Sequence, residues 1–112
     1  MLRKVVVIRQ IRSIDKLMAT WSKSRRLIIA FNVGYGGQWR KIVSQVRRLE
    51  DEFGGVIDIV TVDLRKMKIV ANMLDLSRHP AVYFIRDGRI VKVAIGLYKY
   101  ERICEFAKDI SK

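Results

Sequence analysis

A short, uninterrupted apolar segment constrains the fold of this chain more than any other feature. The run LIIAF begins at Leu27, and we predict a strand from there to Val33. A continuous apolar run without alternation is typical of a strand that is buried on both faces of a sheet. At about five residues the run is too short to cross a bilayer, which takes about 20 residues in a helix. The segment therefore predicts a central, parallel strand.

Strand-like and helix-like patterns alternate along the rest of the chain. Ser13 is placed to cap the first helix, Gly54-Gly55 to end the second, and Asp87-Gly88 to form a two-residue hairpin turn with positive φ. The predicted strands are 5–11, 27–33, 56–62, 81–85 and 90–95, and the predicted helices are 14–21, 38–53, 64–76 and 100–110. This order, βαβαβαββα, predicts a single α/β domain over residues 1–112, with a mixed sheet flanked by helices on both faces.

The charge balance indicates the kind of partner. Lys and Arg number 23 against 11 Asp and Glu, which gives a net charge of +12. Such a field favours RNA, DNA, an anionic membrane face or an acidic protein surface, although it is also compatible with an ordinary solvated surface. The candidate polyanion contacts are the cations on the outer face of the second helix, namely Arg40, Lys41, Arg47 and Arg48. They form no interleaved basic and aromatic motif, so any phosphate contact would carry no sequence readout.

The cysteine and histidine content limits the chemistry. A single cysteine, Cys104, excludes an internal disulfide and favours a reducing, intracellular compartment. Its place beside the apolar stripe of the last helix favours a small core residue over a reactive thiol. His79 has no second histidine to share a metal with, so we expect neither a metal nor another cofactor. The basic start of the chain, with one acid in its first 26 residues, also suits the mitochondrial matrix.

The spacing of several short motifs resembles the thioredoxin family over nearly the whole chain. Phe31 matches the Phe at the end of the family's central strand, and Asp51-Glu52-Phe53 matches the end of its long helix. His79-Pro80 matches the family's proline motif, and Gly96 its closing hairpin. No insertion or deletion is needed between Phe31 and Gly96. The resemblance implies a thioredoxin-like fold and a cis bond before Pro80.

The family's reactive groups have no counterpart in this sequence. Tyr35-Gly36-Gly37-Gln38-Trp39-Arg40 falls on the family's Trp-Cys-Gly-Pro-Cys-Lys loop. By this resemblance Gly36 stands for the nucleophilic cysteine, Trp39 for the resolving cysteine and Ala30 for the buried acid. Without a thiolate the loop can neither attack a disulfide nor resolve a mixed one. We therefore expect a redox-inactive chain that has no catalytic residues and is not an enzyme.

Other roles for the same loop are open. Trp39 is either a partner anchor or, because residues 39, 42, 43 and 46 are in helical phase, a space-filling core residue; the phase favours the second. Gly36 and Gly37 lack the spacing of a phosphate-binding motif. In the family the backbone before the proline pairs with an extended peptide. The resemblance thus implies a partner groove at Tyr35, His79 and Pro80.

These observations predict a structural or protein-interaction subunit of a larger assembly, with a mitochondrial or ribonucleoprotein complex as the expected setting. The expected partners are other protein subunits, with RNA as a second class and no small-molecule substrate. The alternative is a basic accessory protein that binds RNA or DNA through phosphates. An enzyme acting through Cys104 is the remaining hypothesis.

Overall fold

The computed structural model of the chain describes residues 8–33, 36–74, 76 and 78–112. Over these residues, five strands and four helices follow one another in the predicted order βαβαβαββα. The strands are β1 (Arg9–Ile11), β2 (Arg26–Asn32), β3 (Asp58–Asp63), β4 (Ala81–Arg86) and β5 (Arg89–Ile95). The helices are α1 (Ile14–Lys23), α2 (Gly36–Phe53), α3 (Lys68–Met73) and α4 (Tyr100–Ser111).

The five strands form one mixed sheet in the order β1-β3-β2-β4-β5. Strands β1, β3 and β2 run parallel, whereas β4 and β5 are antiparallel to their neighbours. β2 lies at the centre, and its residues Leu27 to Phe31 are at most 1% exposed. The thioredoxin-like α/β fold with helices on both faces of a mixed sheet is therefore confirmed.

Alternate side chains of β2 enter two separate cores because successive residues of a strand point to opposite faces. Ile28 and Ala30 belong to the core under α2 and α4, together with Phe84. Leu27, Ile29 and Phe31 belong to the core under α1 and α3. Burying a large aliphatic or aromatic side chain contributes about 1.5–3 kcal/mol. The strand therefore joins both helical layers to the sheet.

Local signals at the helix ends are confirmed with small shifts. The Ser13 hydroxyl accepts a hydrogen bond from the backbone N–H of Lys16 at 3.1 Å, as an N-cap should. α2 begins at Gly36, two residues before the predicted start, and ends at Phe53 before the two glycines. α3 covers only Lys68–Met73 of the predicted 64–76, because Leu64 to Met67 form a turn after β3.

The strand boundaries differ by more than one residue in two places. Residues 5–7 of the first predicted strand lie outside the described residues, and β1 is seen over Arg9–Ile11. β3 begins at Asp58 and not at Val56, whose side chain is 53% exposed. Val56 continues the turn that follows α2, where its backbone N–H donates to the carbonyl of Phe53.

The β4–β5 hairpin has the predicted turn at Asp87-Gly88. Both residues have positive φ, +52° and +79°, as a type I′ turn requires. The pairing register shifts between Phe84 and Ile85, so β5 contains a bulge. No helix among the described residues is long and apolar enough to cross a membrane.

We expect Gly88→Ala to lower the free energy of unfolding by about 1–2 kcal/mol, because a Cβ is disfavoured at positive φ. An added Cβ there would meet no atom within 4 Å, so the cost comes from the backbone alone. Gly55→Ala is the matched control, since it has equal space and no positive φ. Urea unfolding of both variants measures the difference. Equal stabilities of the two would contradict the assigned turn.

Candidate functional site

The candidate site lies at the edge of the sheet where β2 ends and β4 begins. Phe31 pairs with Ala81, which brings the His79-Pro80 segment beside the end of β2. The His79–Pro80 peptide bond is cis, as the resemblance implied. α2 begins four residues after Asn32, so its N-terminus opens at the same edge. The chain path therefore brings together the two features that the sequence suggested.

Asn32 connects these segments through its side chain and its backbone. It is 1% exposed, and its Oδ1 lies 3.2 Å from Nδ1 of His79. Because an amide oxygen only accepts hydrogen bonds, Nδ1 of His79 carries the proton in this pair. The Asn32 carbonyl accepts from the backbone N–H of Leu64 at 2.9 Å. This role was not predicted from the sequence, although a polar residue directly after the apolar run RLIIAF was a usable signal.

A buried acid, Asp63, lies at the same edge and was also missed. It pairs in register with Asn32 across β2 and β3, and it is 2% exposed. Its carboxylate accepts from the backbone N–H of Arg65 at 3.0 Å and from the Arg65 guanidinium at 3.4 Å. These bonds close the turn after β3. An acid immediately after an apolar strand is the sequence signal that marks such a turn.

The start of α2 presents backbone and no reactive side chain. Gly36, Gly37 and Gln38 are exposed, and Gly36 has a φ of +88°. Tyr35, which we included in the predicted groove, lies outside the described residues. Ala30, at the position of the family's buried acid, is 1% exposed within the core under α2 and α4.

Trp39 is partly buried and packs against the core under α2 and α4. Its neighbours along the same helix face, Ile42 and Val46, are at most 3% exposed. The position matches the space-filling interpretation that the helical phase favoured. The indole thus fills space beside the candidate site, where the resemblance puts the second cysteine.

The four candidate polyanion contacts do not form one equivalent set. Arg40, Lys41 and Arg47 are exposed on the outer face of α2. Arg48 is exposed as well, but its guanidinium lies 3.7 Å from the centre of the Tyr100 ring, a cation–π contact between α2 and α4. The structure therefore gives Arg48 an intramolecular role that the sequence did not reveal.

Cys104 takes part in a small network at the far end of α2. Its thiol donates to Oε2 of Glu52 at 3.5 Å, and the Tyr100 hydroxyl donates to Oε1 of the same carboxylate at 2.8 Å. Burial raises the pKa of the Cys104 thiol, and the hydrogen bond and charge of Glu52 raise it further. The same causes raise the pKa of Tyr100. A buried thiol that keeps its proton is a poor nucleophile, which agrees with the core-residue interpretation.

No described group of His, Cys, Asp and Glu residues is arranged to hold a metal ion. Residues 36–39 offer no thiolate, imidazole or carboxylate as a metal ligand either. What this edge can do chemically is to present backbone N–H groups and an imidazole to another molecule.

Comparison with known proteins identifies the family. The family model described as thioredoxin matches residues 8–109. The chain therefore belongs to the thioredoxin family. A search of the curated proteins finds no significant sequence match.

Solved structures of several thioredoxins share the fold at low sequence identity. The thioredoxin of Malassezia sympodialis superposes with a TM-score of 0.86 at 16% identity, covering 100% of this chain and 97% of that one. Mitochondrial thioredoxin 3 of Saccharomyces cerevisiae in its oxidized form gives 0.80 at 16% identity, covering 91% and 94%. The thioredoxin of Trypanosoma brucei brucei gives 0.82 at 15% identity, covering 98% and 96%.

These findings correct one expectation from the sequence. We expected a chain that is not an enzyme, whereas its family and its structural neighbours are thioredoxins, which are redox enzymes. The expectation was wrong because it inferred the class of the protein from the loop alone. The family match rests on residues spread from β1 to α4. The loop itself has Gly36 and Trp39 where the resemblance puts the two cysteines, and the single thiol lies in α4.

We expect Glu52→Gln to speed alkylation of Cys104 by iodoacetamide in the folded chain and to move its pH midpoint down. The substitution removes the negative charge that opposes the thiolate, while burial still keeps the pKa above its ordinary value. Intact-mass spectrometry between pH 7 and pH 10 follows the reaction. Glu101→Gln, on the exposed start of α4, is the control and should behave like the unsubstituted chain. An unchanged profile for Glu52→Gln would show that the carboxylate does not act on the thiol.

We expect Tyr100→Phe to lower the free energy of unfolding at pH 7 by about 1–2 kcal/mol, because a hydrogen bond to a carboxylate is lost. A raised pKa in the folded state contributes stability that is fully present below the ordinary tyrosine value of 10.0 and is lost as the pH rises above it. The gap between the two proteins should therefore narrow above pH 10. Urea unfolding from pH 7 to pH 11 measures it. Tyr98→Phe, which leaves the Glu52 bond intact, is the control variant.

Proposed function

We propose that the chain is a protein-interaction subunit of a larger assembly, and that it holds an extended segment of a partner protein at the edge where β2 ends and β4 begins. The observation that carries the proposal is the Asn32–His79 pair, with 3.2 Å between Oδ1 and Nδ1. In this pair the fully buried Asn32 holds the exposed His79 beside the N-terminus of α2.

The backbone at this edge supports strand-like pairing with a partner. The Pro80 carbonyl is used within the fold, because it accepts from the N–H of Gly96 at 2.7 Å. The N–H and carbonyl of His79 bond to no other described residue. Backbone groups at an exposed edge that no described residue uses are available to an extended peptide.

The side chains around the edge favour an acidic segment. Arg40 and Lys41 are exposed one turn into α2, and no acid lies in the first turn of that helix. The helix N-terminus carries a partial positive charge of its own. Together with the net charge of +12, this arrangement attracts a negatively charged partner and increases its rate of association.

The compartment we propose is reducing, and the mitochondrial matrix fits best. The support is the single buried cysteine, the basic start of the chain and the similarity in fold to a mitochondrial thioredoxin of yeast.

The test is photo-crosslinking from within the site. We expect p-benzoylphenylalanine at position 38, in place of the exposed Gln38, to form an adduct with a discrete protein in cells that express the tagged chain. The same group in place of Lys108, exposed on α4, is the matched control and should not form that adduct. Mass spectrometry of the adducts identifies the partner segment.

Two outcomes would contradict the proposal: the same adducts from both positions, or adducts that ribonuclease removes. Because the relatives of this chain are redox enzymes, disulfide reduction with dithiothreitol as electron donor is measured on the same preparation. The two readouts distinguish holding a partner from converting a substrate.

A further inference from the structure

Exposed apolar side chains are concentrated on the face of the molecule opposite α2 and α4. Those two helices, every residue of which is described, contribute no exposed large apolar side chain. Met18 of α1 and Met73 of α3 are 62% and 66% exposed. Ile90 and Ile95 of β5 are 47% and 50% exposed. They pair with Ile85 and Ala81, which belong to the core under α1 and α3, so they lie on the same face of the sheet. One face of the sheet is therefore incompletely covered.

Between α1 and α3 this face contains a groove of about 430 Å³. We call it the α1–α3 groove; it is lined mainly by Met18, Trp21, Val70, Met73, Leu74 and Gly88. Two methionines at its mouth give it an adaptable apolar surface, because thioether side chains are flexible and polarizable.

The polar groups of the groove are already used within the chain. Nε1 of Trp21 donates to the Gly88 carbonyl at 3.0 Å. The Ser22 hydroxyl donates to the Ala19 carbonyl at 3.2 Å. Small-molecule sites orient their ligands with a few free polar groups, and among the described lining residues these two side chains are not free. The groove is suited to apolar side chains of a larger partner.

Charge at one end of the groove specifies that partner further. Lys23 and Arg89 are exposed and follow lining residues of the groove along the chain, and Arg25 is exposed beside the same hairpin turn. Among the described residues, Asp87 lies 4.0 Å from Nε of Arg25, and Asp58 lines a neighbouring pocket that also contains Arg25. The cations therefore exceed the acids at this end, and they would attract carboxylates placed beside an apolar stripe.

A second copy of the chain is a poor occupant for physical reasons. It would bring together two surfaces of a molecule with a net charge of +12. Pairing through the edge strand β5 is also disfavoured, because the strand contains a bulge and carries Arg89 and Lys92. Bulges and charged residues are features by which proteins prevent edge-to-edge association.

We propose that the α1–α3 groove is a docking site for an amphipathic helix of another protein, with acidic residues flanking its apolar stripe. Apolar residues at i, i+3, i+4 and i+7 of that helix enter between Met18 and Met73. Its acidic end lies over Arg25 and Arg89. This surface is separate from the edge at His79, so the chain presents two different binding faces.

The test uses synthetic helical peptides and the intact chain. The probe has 18 residues with leucine at i, i+3, i+4 and i+7 and glutamate beside them at one end. A scrambled peptide of the same composition disperses the leucines, and a third peptide has glutamine in place of glutamate. The chain carries Trp39→Phe, so that Trp21 in the groove is the remaining one of two tryptophans and reports binding by fluorescence.

We expect the acidic amphipathic peptide to bind at least tenfold more tightly than the scrambled one. Met18→Glu should abolish this preference, whereas Leu97→Glu, an exposed apolar position beside α2 and away from this face, should preserve it. The double variant Arg25→Gln, Arg89→Gln should weaken binding of the acidic peptide and leave binding of the glutamine peptide unchanged. The double variant Lys99→Gln, Lys108→Gln is the control. Both lysines are exposed on the opposite helix layer, and the net charge changes by the same amount as in the arginine variant. Circular dichroism checks that every variant is folded.

Three results would overturn the proposal. The first is equal affinity for the acidic and scrambled peptides, and the second is equal loss of binding in the Met18 and Leu97 variants. The third is a dimer of the chain alone, seen by sedimentation equilibrium and dissociated by Met18→Glu, since the groove would then be an interface between copies.

Discussion

The burial of β2 on both of its faces is the constraint on which the rest of the structure depends. Its five central residues are at most 1% exposed, and they alternate between the two cores. β2 also pairs with β3 in parallel and with β4 in antiparallel orientation, so it fixes the positions of both. A polar or shortened β2 would detach both helical layers at once, because each core needs its side chains.

The candidate site follows from where that strand ends. Asn32 is the last residue of β2 and is fully buried, so its polar groups must find partners. They find them in His79 and in the backbone of Leu64, and this is how the proline segment and the turn after β3 are brought beside the start of α2. The arrangement involves no thiol. The geometry of a thioredoxin site is thus supported by packing and hydrogen bonding around it and does not require the two cysteines.

The comparison with the family changes how the loop is interpreted. Considered alone, Gly36 and Trp39 at the two cysteine positions indicated that the protein is not an enzyme. Membership of a family of redox enzymes overturns that inference. The family of a protein is identified from its whole core, whereas one loop shows only which reactive side chains that loop contains. The His79 edge is defined by exposed backbone and cations, and the α1–α3 groove by apolar side chains and cations; neither depends on Cys104.

The sequence by itself determined the order and type of the nine elements, the central place of β2, the cap at Ser13 and the turn at Asp87-Gly88. These features depend on the spacing of apolar residues, on capping side chains and on the backbone angle φ. All three are set by residues a few positions apart in the sequence. The family resemblance added the cis bond before Pro80. What only the tertiary structure decided depends on residues far apart in sequence. Examples are the Asn32–His79 pair, Glu52 between Tyr100 and Cys104, and Arg48 on the Tyr100 ring. The incomplete covering of the α1–α3 face belongs with them, because whether an apolar residue is buried depends on which other element packs over it.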